Sequence, residues 1–242
     1  MNIIKEEYIF TEQSHDIFLD SSKDYNPIHA DTDYIKNTLL KDINIHGTHI
    51  LLKTLDVLLK NNILINHINM KFINSIYRNE LICLSLNLQN QTIIIESDKK
   101  ICVKINYQPA NELMLPDMKI VYDKPKYKQS RLLSFDDVSV INNQKFNIIE
   151  NSSDLVNLYP KLIKAYNKLF LSELCSISYL VGMECPGLHS IEGALSISMK
   201  REYHNNITPK FSVSFTDKRF NYIVIKVESF SFVANVEVIY RI

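Results

Sequence analysis

The sequence predicts an α+β protein in which one layout is made twice: a long central helix wrapped by an antiparallel β-sheet. Three observations predict it. A strongly apolar stretch of helical period is followed by successive segments of period two. The same order of elements returns in the second half. Between the two lies a stretch that holds Pro109, Pro116 and Pro125 and ends in the charged DKPKYKQSR.

The first half opens with residues 8–19, read as an extended stretch, and a polar, turn-rich segment over 21–32. In THILLKTLDVLLKN, residues 48–61, Ile50, Leu51, Leu52, Leu55, Val57, Leu58 and Leu59 cover most of a helix surface, so the helix is expected to be buried. INMKFINSIY, LICLSLNLQ, TIIIES and ICVKINYQ then read as four strands. In the second half QKFNIIE reads as a strand. Over 154–181, Leu155, Leu158, Leu162, Tyr166, Leu169 and Phe170 follow helical spacing, with Asp154 as N-cap. Pro160 either sits in the first turns of that helix or splits it. ALSISMK, KFSVSF, YIVIKVE and FVANVEVIY follow as strands. This layout is the double hotdog arrangement, with units over 1–108 and 131–242 and a linker over 109–130. One large α+β domain is the competing reading. Paired units suit a pseudo-dimer, and a homodimer of such pseudo-dimers is compatible with the layout.

Composition narrows the function. Basic and acidic residues number 27 each, for a formal net charge of zero. Neither nucleic acid nor an anionic membrane is therefore expected as a partner. No apolar run reaches the roughly 18 residues of a membrane helix. The opening MNIIKEEYIF lacks the layout of a signal peptide. Cys83, Cys102, Cys175 and Cys185 form no C-x-x-C pair. A reduced, cytoplasmic protein is expected, with neither zinc knuckle nor disulfide framework. Glycines number only 4, and no Gly-rich phosphate-binding motif occurs.

Two His-bearing stretches stand out: DYNPIH at 24–29 and HGTH at 46–49. Asp24 and His29 are too far apart to share a regular helix face. Pro27 pushes Asn26 out of the helical region, so the chain turns there and can bring both side chains into one pocket. Such a pair suits acid–base work on a water or a hydroxyl. An Asx-turn at Asp24 with a surface His29 accounts for the same spacing, and both readings stand. Gly47 precedes the buried helix, where free N–H groups and the positive dipole end can polarise a carbonyl. Thr48 as a simple N-cap is compatible with that role. His46 and His49 lack the carboxylate-rich surroundings of a metal site, and no metal is expected.

SSKDYNPIHAD followed by IHGTHIL resembles the signature of the MaoC-like, (R)-specific enoyl-CoA hydratase (hydratase 2) family, S-G-D-x-N-P-[LIV]-H-x-D and then V-H-G-[MT]. The matching residues are Ser22, Asp24, Asn26, Pro27, Ile28, His29, Asp31, His46 and Gly47. The resemblance covers roughly residues 8–107. It implies a hydro-lyase that hydrates 2-enoyl thioesters, or dehydrates 3-hydroxyacyl thioesters, on coenzyme A or an acyl carrier protein, with no cofactor. It implies Asp24 and His29 as the catalytic pair and the Gly47 N–H as donor to the thioester carbonyl. Asn26, His46 and Thr48 would bind or position around them. The chain departs from the pattern at Lys23, where the family has Gly, and at Ile35, where a small residue is usual. Lys23 is costly if the position needs a positive φ. It favours a second reading, a non-catalytic thioester-binding protein. A thioesterase of the same fold is a third.

The second half holds no D-x-N-P-x-H. The resemblance implies a degenerate unit whose lost site leaves room for an acyl tail. Its MECPGLHSIEG reads as a helix stop at Pro186-Gly187, with Gly187, His189 and Ser190 lining the pocket. Cys185 and His189 as nucleophile and base compete with Cys185 as a small buried hydrophobe.

Overall fold

The computed structural model describes residues 3–113, 115, 119–200 and 207–240. Among these residues ten strands form one continuous sheet. The first half supplies β1 (Ile3–Ile9), β2 (Leu64–Phe72), β3 (Leu81–Asn87), β4 (Thr92–Ser97) and β5 (Lys100–Ala110). The second supplies β6 (Gln144–Lys145), β7 (Ser190–Met199), β8 (Lys210–Asp217), β9 (Tyr222–Glu228) and β10 (Phe232–Tyr240). The strand order is β1-β3-β4-β5-β2-β7-β10-β9-β8-β6. Outward from the centre, each side therefore runs second, fifth, fourth, third and first strand of its own half. The halves share one topology and meet where β2 pairs antiparallel with β7, from His67 opposite Ser198 to Lys71 opposite Ala194.

Among the described residues the helices are α1 (Glu12–Ser22), α2 (Pro27–Ala30), α3 (Thr32–Ile35), α4 (Gly47–Lys60), α5 (Phe135–Ser139), α6 (Ser153–Leu158) and α7 (Pro160–Tyr179). A π-helical turn, Leu180–Glu184, continues α7. α4 is the predicted buried helix, with every residue from Thr48 to Leu55 buried. Lys53 survives there because its stem runs along the helix to the rim, where Nζ meets Glu6 at 2.6 Å over the Tyr8 ring. α4 packs against α7, and one core joins both halves.

Several elements differ from expectation. The stretch over 8–19 is not extended throughout: β1 ends at Ile9, and Thr11 caps α1 by accepting from the Ser14 N–H. The inward face of α1 is largely polar, with Ser14, His15, Ser21 and Ser22 beside Phe18, so its helical period is faint. Ser152, not Asp154, caps α6, and Asp154 falls in the first turn. Pro160 splits the element: Tyr159 takes φ −126°, ψ 58°, and Pro160 starts α7. QKFNIIE is strand only over Gln144–Lys145. Within the stretch over 109–130, Pro109 and Ala110 belong to β5 and Asp123 bridges Ile149; just beyond it the Arg131 N–H donates to the Met183 carbonyl. Pro116 lies outside the described residues.

A buried hydroxyl also joins the halves: the Ile65 N–H of β2 donates to Tyr166 Oη of α7 at 3.1 Å. Tyr166→Phe strands that N–H and is expected to cost about 1–3 kcal/mol in urea unfolding. An unchanged midpoint would show that the bond contributes nothing.

Candidate active site

α1 ends at Lys23, whose backbone adopts φ 56°, ψ 20° and whose N–H donates to the Leu19 carbonyl. This left-handed cap turns the chain into 24–29. A Lys holds it where Gly would do so without strain, at roughly 1 kcal/mol. Asn26 then caps α2, with Pro27 at its first position. The Asn26 side-chain amide donates to the Gly187 carbonyl at 3.1 Å, fastening the loop to the second half.

Asp24 and His29 come together on one cavity of about 130 Å³. Asp24 is 2% exposed. Its Oδ2 accepts from Ser178 Oγ at 2.7 Å and its Oδ1 from the Asn26 N–H at 3.2 Å. Burial outweighs both bonds and pushes its pKa up to about 7. His29 Nδ1 lies 2.6 Å from the Asn44 carbonyl, so Nδ1 carries the proton and Nε2 is left as a lone pair. Burial pushes the His29 pKa down to about 3. The site therefore holds a neutral base beside an acid that keeps its proton close to neutrality.

The second half builds the opposite wall with Ser178, Val181, Gly182, Ser190 and Glu192. The Asp24 carboxyl lies on the backbone at Gly182, where a Cβ would stand 1.9 Å from Oδ1. Gly47 opens α4 onto the cavity. No side chain caps that helix start. A Cβ on Gly47 would stand 2.1 Å from Glu192 Oε2 and 2.8 Å from Phe72. Gly is thus required there for space.

No family model and no curated protein sequence matches the chain. Solved structures do. A MaoC-like dehydratase aligns over 99% of this chain and 98% of its own, at TM-score 0.58 and 12% identity. A MaoC domain protein from Chloroflexus aurantiacus J-10-fl aligns over 100% of this chain and 95% of its own, at TM-score 0.59 and 10% identity. The chain has the double hotdog fold. An acyl-CoA thioesterase II from Mycobacterium marinum aligns at TM-score 0.47 and 9% identity, over 82% of this chain and 90% of its own, a likeness too slight to weigh on the reaction.

Within the double hotdog, the sequence-derived candidates divide. Asp24, Asn26, His29, Gly47 and Ser190 line the cavity. His46 and Thr48 do not. His46 lies behind the pair, stacked on the His29 ring at 3.7 Å, with its Nε2 donating to the Asp24 carbonyl at 3.1 Å. Thr48 is not the N-cap; His46 holds that position, and Thr48 Oγ1 is buried without a partner. Gly187 reaches the site only through its carbonyl. His189 turns away and stacks on Tyr34, whose hydroxyl donates to its Nδ1. Cys185 is a buried thiol whose pKa burial pushes up to about 12, which removes the nucleophile reading. His49 is packed between Phe10, Phe18 and Tyr159. Ser178, Asn44 and Glu192 carried no motif.

A carboxylate oxygen of Asp24 and ring nitrogens of His29 and His46 lie within 4.8 Å of one another, as metal ligands would. The ring planes of His29 and His46 are only 23° apart, however. One ion would have to lie in both planes, and stacked planes do not meet at coordination distance. The trio does not fit a metal.

The rise of the Asp24 pKa from 3.8 to about 7 means that the folded state binds this proton more tightly than the unfolded chain. The sign follows: stability from this group is full below about 4 and is lost as pH rises to 7, at most about 4 kcal/mol. Asp24→Asn is expected to raise Tm over wild type more at pH 8 than at pH 5. An equal gap at both would show that Asp24 ionises freely in the fold.

Proposed function

We propose that the chain is a hydro-lyase on acyl thioesters, interconverting 3-hydroxyacyl and 2-enoyl forms. The observation that carries this reading is the cavity itself: a neutral His29 lone pair and a proton-bearing Asp24 beside the start of α4. The resemblance of the 24–31 and 45–48 blocks supports it, and so do structural neighbours named as MaoC-like dehydratases.

In dehydration, His29 Nε2 takes the α-proton. Negative charge builds on the thioester oxygen, which the Gly47 N–H and the positive end of α4 stabilise. The C3–O bond breaks, and the Asp24 proton goes to the departing hydroxyl, which leaves as water. His29 is then protonated and Asp24 ionised, and a proton passing back resets the pair. Hydration runs through the same steps reversed. A thioesterase would need Asp24 as a carboxylate to activate water, whereas burial raises its pKa to about 7 and keeps a share of it in the acid form that a departing hydroxyl needs. The binding-only reading rested on Lys23, yet Lys23 takes up the left-handed turn and the pair is assembled.

Purified protein is expected to consume crotonyl-CoA or longer 2-enoyl-CoA esters, read as loss of enoyl absorbance. Asp24→Asn and His29→Ala should each lower the rate about 10²–10⁴-fold. The wild-type rate should fall as pH rises through about 7, as Asp24 loses the proton that the hydroxyl needs. Silence on every chain length, and on acyl-carrier-protein esters, would refute the hydro-lyase reading. An active Asp24→Asn variant would refute the role of Asp24.

A further inference from the structure

β7 aims a second carboxyl at the cavity, and it does so by breaking its own alternation. Leu195, Ile197 and Met199 are buried on its inward face. Strict period two would continue with Gly193 and Ile191 inward and Glu192 outward. The pairing with β10 instead shifts register: Glu237 lies opposite Ala194 and Val238 opposite Glu192, so Gly193 is the extra residue of a bulge. The bulge reverses the faces. Ser190 and Glu192 line the cavity with their side chains buried or half-buried, and Ile191, at its rim, is left 41% exposed.

The carboxyl so placed is poorly satisfied. Glu192 Oε2 is buried and has no hydrogen-bond partner. It lies against Gly47 and Phe72, at the helix start rather than at the Gly182 wall that holds Asp24. No Lys or Arg lines the cavity among the described residues. Burial, and after it the charge of Asp24, push the Glu192 pKa up to about 8, so the group is mainly the neutral acid at pH 7. An acid proton on Oε2 lacks an acceptor until one arrives beside Gly47. Unpaired buried polar atoms cost stability, and they concentrate at sites of function.

We propose that Glu192, as a neutral acid, donates a hydrogen bond to the thioester oxygen alongside the Gly47 N–H, making it a further catalytic residue. This rests on the hydro-lyase reading of the same cavity. The thioester oxygen gains negative charge as the α-proton leaves, so a second donor there stabilises the transition state more than the bound ester. A carboxylate at that point would repel the same charge. The second half of the chain thus supplies chemistry to the site of the first.

Two variants of similar volume separate the outcomes. Glu192→Gln keeps an N–H donor, and Glu192→Met keeps none. With an enoyl-CoA ester, Glu192→Met should lose about 10²–10³-fold in kcat with KM little changed, and Glu192→Gln should stay within about tenfold of wild type. A Met variant as active as wild type, or a Gln variant as impaired as Met, overturns the proposal. If wild type hydrates nothing, the carbonyl stretch of bound ¹³C-labelled butyryl-CoA is read by infrared difference spectroscopy. A lowered frequency in wild type and Gln, absent in Met, keeps the hydrogen bond and discards the hydro-lyase reading. Equal bands in all three, or no bound ester, discard the donor.

Discussion

A five-stranded antiparallel sheet has two edges of unpaired N–H and C=O groups, and in this chain each half loses one of them where β2 meets β7. The site depends on that seam. Pairing fixes the two half-sheets in register and sets α4 beside α7. It brings the end of α7 and the first turn of β7 to the loop over 24–29. Asp24 then finds Ser178 and Gly182, and Asn26 finds Gly187 and Ser190. None of these partners belongs to the half that carries the D-x-N-P-x-H block. One half alone would leave the Asp24 carboxyl without Ser178 and Gly182 and the Asn26 amide without Gly187 and Ser190.

Burial sets the protonation states of the pair. A Lys or Arg beside Asp24 would hold it ionised; instead it receives one hydroxyl and one backbone N–H, and desolvation exceeds both. Two further imidazoles, His15 and His46, are packed close behind, and burial depresses them as it does His29. His15 Nε2 donates to the His29 carbonyl at 2.8 Å, and His46 Nε2 to that of Asp24. These rings serve as neutral donors to the loop backbone. They hold Asp24 and His29 by their main chain and leave the side chains facing the cavity.

The strands were legible because both sheet halves bury one face, and period two survives in sequence wherever that holds. LICLSLNLQ, TIIIES and YIVIKVE all lie within or near their observed strands. α4 was legible because apolar residues cover most of its surface. α1 was not, since the face it buries carries Ser14, His15, Ser21 and Ser22, and this polar face is the one that adjoins the site. Asp24, His29 and Gly47 were legible from the two blocks. Ser178 was hidden within a buried helix, where a small polar residue has no distinguishing pattern. Glu192 was hidden because alternation through SIEGALSISM points it to solvent, and only the pairing with β10 reveals the bulge. Asn44 acts through its carbonyl, which no side-chain pattern reports.

The second half carries no D-x-N-P-x-H block, yet it is not spare. The chain holds 4 glycines, and each stands at the cavity or its frame. Gly47 leaves space for Glu192 and Phe72, and Gly182 for the carboxyl of Asp24. Gly187 takes φ 85° with the Arg131 carbonyl 2.2 Å from where its Cβ would be, and it presents the oxygen that holds Asn26. Gly193 is the bulge that turns Glu192 inward. Elsewhere the chain makes its positive-φ turns with Asn, Asp, Lys and Gln, at Asn62, Asn79, Gln91, Asp98, Lys99 and Asn221 among others. Those exposed turns tolerate a side chain at a modest cost in strain. At Gly47, Gly182 and Gly187 a side chain would displace a carboxyl or a backbone oxygen, so Gly persists there for space, whereas at Gly193 a Cβ would meet only the Glu237 carbonyl at 3.6 Å. Three of these four lie in the half without the motif, which argues that the fold keeps its second unit as the wall against which the first can work.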